Sequence, residues 1–126
     1  MWAGIDDDDC ENHLIGDEGR AVCVSDKKIF VGSSGTNMLS GYNWDGDSEG
    51  VVGPRFTSDV TSLACKPSGE VVVAGCDDFS VKVINTTDFS AISLTGHEAP
   101  ILSVALGNEG DVVASSSCDG SVKVNI

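Results

Sequence analysis

Polar and apolar residues alternate along short stretches of this chain, and the stretches return at a fixed interval. Ser80-Val81-Lys82-Val83 and Ser121-Val122-Lys123-Val124 alternate as strands with two unlike faces do. Val71-Val72-Val73-Ala74 and Val112-Val113-Ala114 are short β-branched runs, each behind a turn. Those turns are Pro67-Ser68-Gly69-Glu70 and Asn108-Glu109-Gly110-Asp111, built from residues that set or tolerate turn dihedrals. Cys118-Asp119-Gly120 reads as a tight hairpin turn in which Asp-Gly supplies positive φ angles. No segment sustains a 3.6-residue apolar period, so helix content is expected near zero.

Residues 59–84 and 100–125 are two copies of one unit, 41 positions apart. Asp78 matches Asp119, Ser80 matches Ser121, and Val81-Lys82-Val83 matches Val122-Lys123-Val124. Each copy reads as strand A, turn, strand B, tight turn, strand C. Ala91-Ile92-Ser93-Leu94 is the fourth strand of the first copy. A third, degenerate copy lies upstream, with strands in Ala21–Val24, Ile29–Gly32 and Met38–Tyr42. In it a Gly/Ser loop from Gly32 to Asn37 replaces the Asp-containing hairpin. Ala3–Gly16, with Asp6–Asp9, and Asn43–Arg55, with Asp45, Asp47 and Glu49, read as exposed loops between units.

A period of about 40–45 residues with several short strands in each is the mark of a β-propeller blade. The fold class is therefore all-β, a partial propeller of about three blades. Its expected division is the end of a blade plus an acidic linker at 1–16, a degenerate blade with an acidic loop at 17–55, a blade at 56–95, and a blade lacking its outer strand at 96–126. Rings close with about four to eight blades, so the reading expects an unclosed ring that is part of a longer one. Met1-Trp2 is expected to be the last strand of an earlier blade. Open edges predict that the segment alone self-associates or is partly molten.

The chain has 20 acidic and 7 basic residues and a formal net charge of −13. Residues 1–50 hold 11 of the acidic residues against 3 basic ones. Binding to duplex nucleic acid rests on Lys and Arg neutralising phosphates. The arginines are Arg20 and Arg55, with no basic stripe, which argues against direct nucleic-acid binding and for protein partners or plain solubility. Five cysteines, at 10, 23, 65, 76 and 118, form no C-x-x-C pair. They read as free thiols of a reducing compartment, without a disulfide framework or a zinc site. No apolar stretch approaches the length of a membrane span, and no signal peptide is evident.

The motifs that resemble sharper chemistry each lack a required residue or setting. Asp45-x-Asp47-x-Glu49-Gly50 resembles the start of a Ca²⁺ loop, but the bidentate Glu due at position 12 is Phe56. Asp6–Asp9 reads as a solvated loop, because adjacent carboxylates on a flexible segment converge poorly on an ion. Val31-Gly-Ser-Ser-Gly-Thr36 lacks the Lys of a phosphate loop. His97, Cys118 and Asp119 do not make a nucleophile, since a thiolate needs an electropositive setting that an acidic chain withholds. His13 has no evident partner. No cofactor, metal or small-molecule substrate is implied. Tyr42 and Trp44, which end the degenerate strand C, are a candidate protein contact if exposed and blade packing if not.

Gly96-His97, followed 22 residues after the His by Asp119-Gly-Ser-Val-Lys-Val, resembles the Gly-His … Asp-x-x-Val-x-Val-Trp pattern of WD40 repeats. The resemblance implies a buried hydrogen-bonded network of loop His, strand-B Ser/Thr, turn Asp and strand-C Trp. His97, Ser115 or Ser117, and Asp119 take three of those places, with Asp78 the turn Asp of the preceding repeat. Asn125 and Ile84 stand where Trp is due, so the network is expected to be incomplete and to leave costly unpaired groups.

Asp78–Lys82, Gly96–Pro100, Ser117–Val122 and the acidic run after Trp2 are similar to one family in particular. They resemble the amino-terminal WD40 propeller of the acidic nucleoplasmic HMG-box replication hubs, also known as chromosome-transmission-fidelity replisome adaptors. The resemblance covers essentially the whole chain. It implies a nuclear, non-enzymatic protein-interaction scaffold in an assembly that links the replicative helicase to DNA polymerase α and supports sister-chromatid cohesion. The family's client-recruiting propeller and helical bundle, and its DNA-binding HMG box, are not among these residues. The alternative is a WD40 adaptor of another class, such as a substrate receptor of a ubiquitin ligase.

Overall fold

The structure is a computed structural model that describes residues 19–33, 37–53, 56, 58–107 and 111–125. The expectations for Met1-Trp2, Asp6–Asp9, Cys10, His13, residues 34–36, Pro54-Arg55, residues 108–110 and Ile126 fall outside these residues. Among the described residues there is no helix. The described residues form eleven strands in three antiparallel sheets: β1 (Gly19–Val24), β2 (Lys28–Ser33), β3 (Leu39–Asn43) and β4 (Ser48–Val51); β5 (Val60–Cys65), β6 (Val71–Cys76), β7 (Val81–Asn85) and β8 (Ala91–Leu94); β9 (Ile101–Gly107), β10 (Val112–Ser117) and β11 (Val122–Asn125). Each sheet is a meander in sequence order. The three sheets do not close a ring.

One expectation needs correction. The acidic stretch 43–55 is not simply a loop: Ser48–Val51 within it is β4, the fourth strand of the first sheet, paired with β3 through Ser40↔Val51 and Gly41↔Gly50. All four of its residues are exposed, so no buried face marks it in the sequence.

The first strands β1, β5 and β9 are neighbours, and the sheets stack face to face outward from them. Phe30 and Leu39 of the first sheet meet Val60, Leu63, Val72, Ala74, Cys76 and Ile84 of the second in one fully buried cluster. Val73 and Val81 meet Ile101, Val104 and Val113 of the third in another. Burial of both faces explains why β6 reads Val-Val-Val-Ala-Gly-Cys rather than as a clean alternation.

Each of these two interfaces has the same interlock. The first residue of strand A in one sheet enters a glycine notch on strand B of the sheet before it. A methyl carbon at Gly32 would lie 2.7 Å from Val60 Cγ1, and one at Gly75 would lie 2.5 Å from Ile101 Cγ2. Both distances are too short for carbon atoms, so the notches require glycine as the sheets stand. Polar ties flank the interlocks. Thr61 donates its hydroxyl to Ile101 O at 2.6 Å, Val104 N–H donates to Ser62 Oγ at 3.2 Å, and Asp26 N–H donates to Pro67 O at 2.7 Å. Arg20 Nη1 lies 3.1 Å from a carboxylate oxygen of both Asp59 and Asp77 and joins the first two sheets at one rim.

The tight turns differ from the expected Asp-Gly geometry. In the β10–β11 turn only Gly120 has positive φ, at 83°. The matching place in the β6–β7 turn is Phe79, at φ 74°, with 43% of its surface exposed. A left-handed conformation costs a side-chain-bearing residue about 1–2 kcal/mol, while glycine raises the entropy lost on folding. Phe79→Gly is therefore expected to leave stability unchanged or raise it by up to about 1 kcal/mol. A clear drop in the thermal midpoint would show that the ring's packing outweighs the strain.

Candidate functional site

The β6–β7 and β10–β11 turns and the β8–β9 segment lie at one rim, and every predicted network residue is there. Asp119 Oδ1 accepts from Ser121 N–H at 2.8 Å and from Ser121 Oγ–H at 2.6 Å. Its Oδ2 accepts from Glu98 N–H at 2.8 Å and lies 3.6 Å from His97 Nδ1. His97 is 8% exposed, with Nδ1 2.9 Å from Ser121 Oγ and Nε2 2.8 Å from Ser115 Oγ. The donor sequence follows from the chemistry of each group. A carboxylate only accepts, so Ser121 gives its proton to Asp119 and its oxygen accepts from His97 Nδ1–H. With the ring proton on Nδ1 alone, His97 Nε2 accepts from Ser115 Oγ–H, 2.8 Å away.

Between Ser115 and Ser117, the His partner is Ser115. Ser117 donates to Ala99 O at 2.9 Å and accepts from Asp119 N–H at 3.1 Å. The two serines share one face of β10, so strand periodicity does not separate them. Ser121 is the member that the sequence reading left out, although its match to Ser80 was visible. Its hydroxyl bridges His97 to Asp119, and among the described residues no buried side-chain nitrogen or oxygen lacks a partner. The expected cost of an incomplete network is thus not seen. Asn125, at one Trp place, is exposed, and Ile84, at the other, is fully buried in the first core cluster.

The second sheet carries the same rim with its polar centre replaced. Asp78 Oδ1 accepts from Ser80 N–H at 3.1 Å and from the Ser80 hydroxyl. Forty-one positions before His97 stands Phe56, and 41 before Ser115 stands Ala74. Both are buried, at 5% and 0% exposure, in one apolar cluster. The His–Ser pair of one blade is a Phe–Ala pair in the other.

Ser115, His97 and Asp119 have the order of a nucleophile, base and orienting acid, but Ser115 is 4% exposed and shut in by the sheets. The arrangement holds two turns against a strand. Burial also keeps the thiols protonated: desolvation pushes Cys76 up to about 12, and raises Cys23 and Cys65, which meet each other across the first interface. Cys118 is the exposed cysteine of the β10–β11 turn. Trp44 is 65% exposed in the β3–β4 turn, and Tyr42 is half-buried on β3. The N–H groups of Asp45 and Asp47 both bond to Asn43 Oδ1 at 3.0 Å, and Glu49 lies 3.5 Å from Lys28.

Hydrogen bonds from Glu98 N–H, and then from the hydroxyl and N–H of Ser121, hold the Asp119 carboxyl well below the usual carboxylate range. A group with a depressed folded value stabilises the fold above its unfolded value, about 3.9, and that contribution fades as pH falls through the folded one. Asp119→Asn is therefore expected to flatten the fall of the thermal midpoint between about pH 4 and pH 2. Parallel curves for the two proteins would show that Asp119 contributes nothing in this window.

Comparison with known proteins agrees with this geometry. The sequence profile of the WD domain, G-beta repeat family matches residues 51–85 and 90–124. The chain belongs to this WD40 family. It is similar to WD repeat and HMG-box DNA-binding protein 1 of Xenopus laevis, at 32% identity, and of Homo sapiens, at 30%, in each case over 98% of this chain. The chain spans 11% of the length of each of those relatives. In solved structures the WD40 repeats of RRP9 superpose with a TM-score of 0.75 at 19% identity, covering 90% of this chain and 36% of that one. This last likeness concerns the fold alone.

Proposed function

We propose that this WD40 chain is a non-enzymatic scaffold that works among proteins in a nuclear replication and chromatin assembly, with a role in linking the replicative helicase to DNA polymerase α and in sister-chromatid cohesion. The observation that carries the reading is the 30–32% identity to WD repeat and HMG-box DNA-binding protein 1 along nearly all of this chain, in three vertebrates. A net charge of −13 supports protein rather than nucleic-acid contacts for these residues. The buried His97 network supports a structural role for the rim that resembles catalytic chemistry. Trp44, Phe79 and Phe89, exposed aromatics at turns, and the half-buried Tyr42 are the candidate contact residues.

The test is tagging at the native locus, followed by chromatin fractionation and replication-tract measurement. The protein is expected in the nucleus, bound to chromatin in S phase, and its depletion is expected to shorten replication tracts. A cytosolic protein whose loss leaves replication tracts and cohesion unchanged overturns the proposal.

A further inference from the structure

Two thiols meet between the first two sheets, and the repeat shows that packing does not require them. Cys23 is on β1 and Cys65 on β5, the first strands of adjacent sheets. Both are half-buried and pack against the first core cluster. The Cys23 S–H group donates to the Cys65 sulfur. Ala64 and Leu106 stand 41 positions after Cys23 and Cys65 and pack against the second cluster. The same place is thus filled by hydrocarbon in one interface and by two sulfurs in the other.

The pair lies apart from the other described thiols. Cys76 is opposite Val60 and Cys65 is opposite Val72, so Cys76 and Cys65 are at opposite ends of the β5–β6 ladder. Cys118 is in the β10–β11 turn of the third sheet. Burial raises both Cys23 and Cys65, but the bond from Cys23 lowers Cys65, so Cys65 is the sulfur that ionises first. Half-burial admits a small neutral oxidant and hinders a bulky one such as glutathione disulfide.

We propose that hydrogen peroxide converts Cys23 and Cys65 to a disulfide that locks the first sheet to the second. The Cys65 thiolate attacks one peroxide oxygen: an S–O bond forms, the O–O bond breaks, and hydroxide leaves and takes up a proton. The sulfur is oxidised and the peroxide oxygen reduced. The Cys23 sulfur then attacks the Cys65 sulfur: the S–S bond forms, the S–O bond breaks, and the hydroxyl leaves as water with the Cys23 proton. Two thiols and one peroxide give one disulfide and two waters. Contact between the sulfurs makes the second step intramolecular and therefore fast. Val60, at the start of β5, already interlocks with Gly32, and the disulfide at Cys65 fixes the other end of the same strand.

The test uses the full-length protein, tagged at its native locus and purified in the reduced state. Peptide mapping after treatment with hydrogen peroxide is expected to find Cys23 linked to Cys65 in most molecules, and dithiothreitol to undo the link. In Cys23→Ala, Cys65 is expected to stop at the sulfenic acid and to be trapped by dimedone. Cys23→Ala combined with Cys65→Leu copies the Ala64–Leu106 pair. It is expected to keep the amide exchange rates of the reduced protein and to form no link. In the linked wild type, exchange in β1 and β5 is expected to slow at least about tenfold. Full alkylation of both thiols after peroxide, a link from either one to another cysteine, or exchange that the link leaves unchanged each overturns the proposal.

Discussion

His97→Phe alone is expected to lower the free energy of unfolding by about 2–3 kcal/mol, and adding Ser115→Ala is expected to return most of it. The single change removes the group that receives the Ser115 hydroxyl. Ser115 is 4% exposed, so water cannot replace the bond, and an unmet buried hydroxyl costs about 1–3 kcal/mol. Ser121 loses the Nδ1–H donor but keeps Asp119 at 2.6 Å. The double change removes the stranded hydroxyl and reproduces the Phe56–Ala74 pair, which the second sheet already buries. Asp119 and Ser121 would then stand as Asp78 and Ser80 do. Denaturant unfolding of the wild type, both single variants and the double variant measures the coupling. Additive losses would mean that the two blades are not interchangeable at this rim, and that the repeat alignment misplaces Phe56.

That comparison also shows where the sequence could be read and where it could not. The period of 41 carried the strands of the second and third sheets, and Ala91–Leu94 has the bounds of β8 as expected. Apolar periodicity works where one face is buried. It fails for β4, whose Ser-Glu-Gly-Val is exposed throughout and owes its strand conformation to pairing with β3. The choice between Ser115 and Ser117 depends on where the His97 ring falls along β10, 2.8 Å from Ser115 Oγ, which residue identity does not announce. Ser121 was legible through its match to Ser80. The WD40 pattern assigns its polar roles to His, Ser/Thr, Asp and Trp, and so gives Ser121 none. The glycine notches were also printed in the sequence, at Gly32 and Gly75. Their meaning depends on a neighbouring sheet, which strand-by-strand reading does not include.

Those notches carry the second large effect. Ile101→Ala is expected to cost about 2–5 kcal/mol, because Ile101 is 1% exposed and the sheets on either side cannot collapse freely onto the void. Gly75→Ala is expected to cost about 1–3 kcal/mol for the opposite reason: its methyl carbon would lie 2.5 Å from Ile101 Cγ2 and 3.2 Å from Val104 Cγ1, so the interface must widen. Combined, the changes are expected to cost at least about 1 kcal/mol less than their sum, since the added methyl enters space that Ile101 has left. Ser116 is the control. It stands half-buried at the same place in the third sheet, on a face that no sheet among the described residues covers. Ser116→Ala is therefore expected to change stability by less than about 0.5 kcal/mol, as surface substitutions usually do. Calorimetric or denaturant midpoints for these four variants decide the matter. If Gly75→Ala is as mild as Ser116→Ala, the interface yields without cost and the interlock does not fix the spacing of the sheets. If the double variant loses the full sum, the two side chains do not share the space that the geometry gives them.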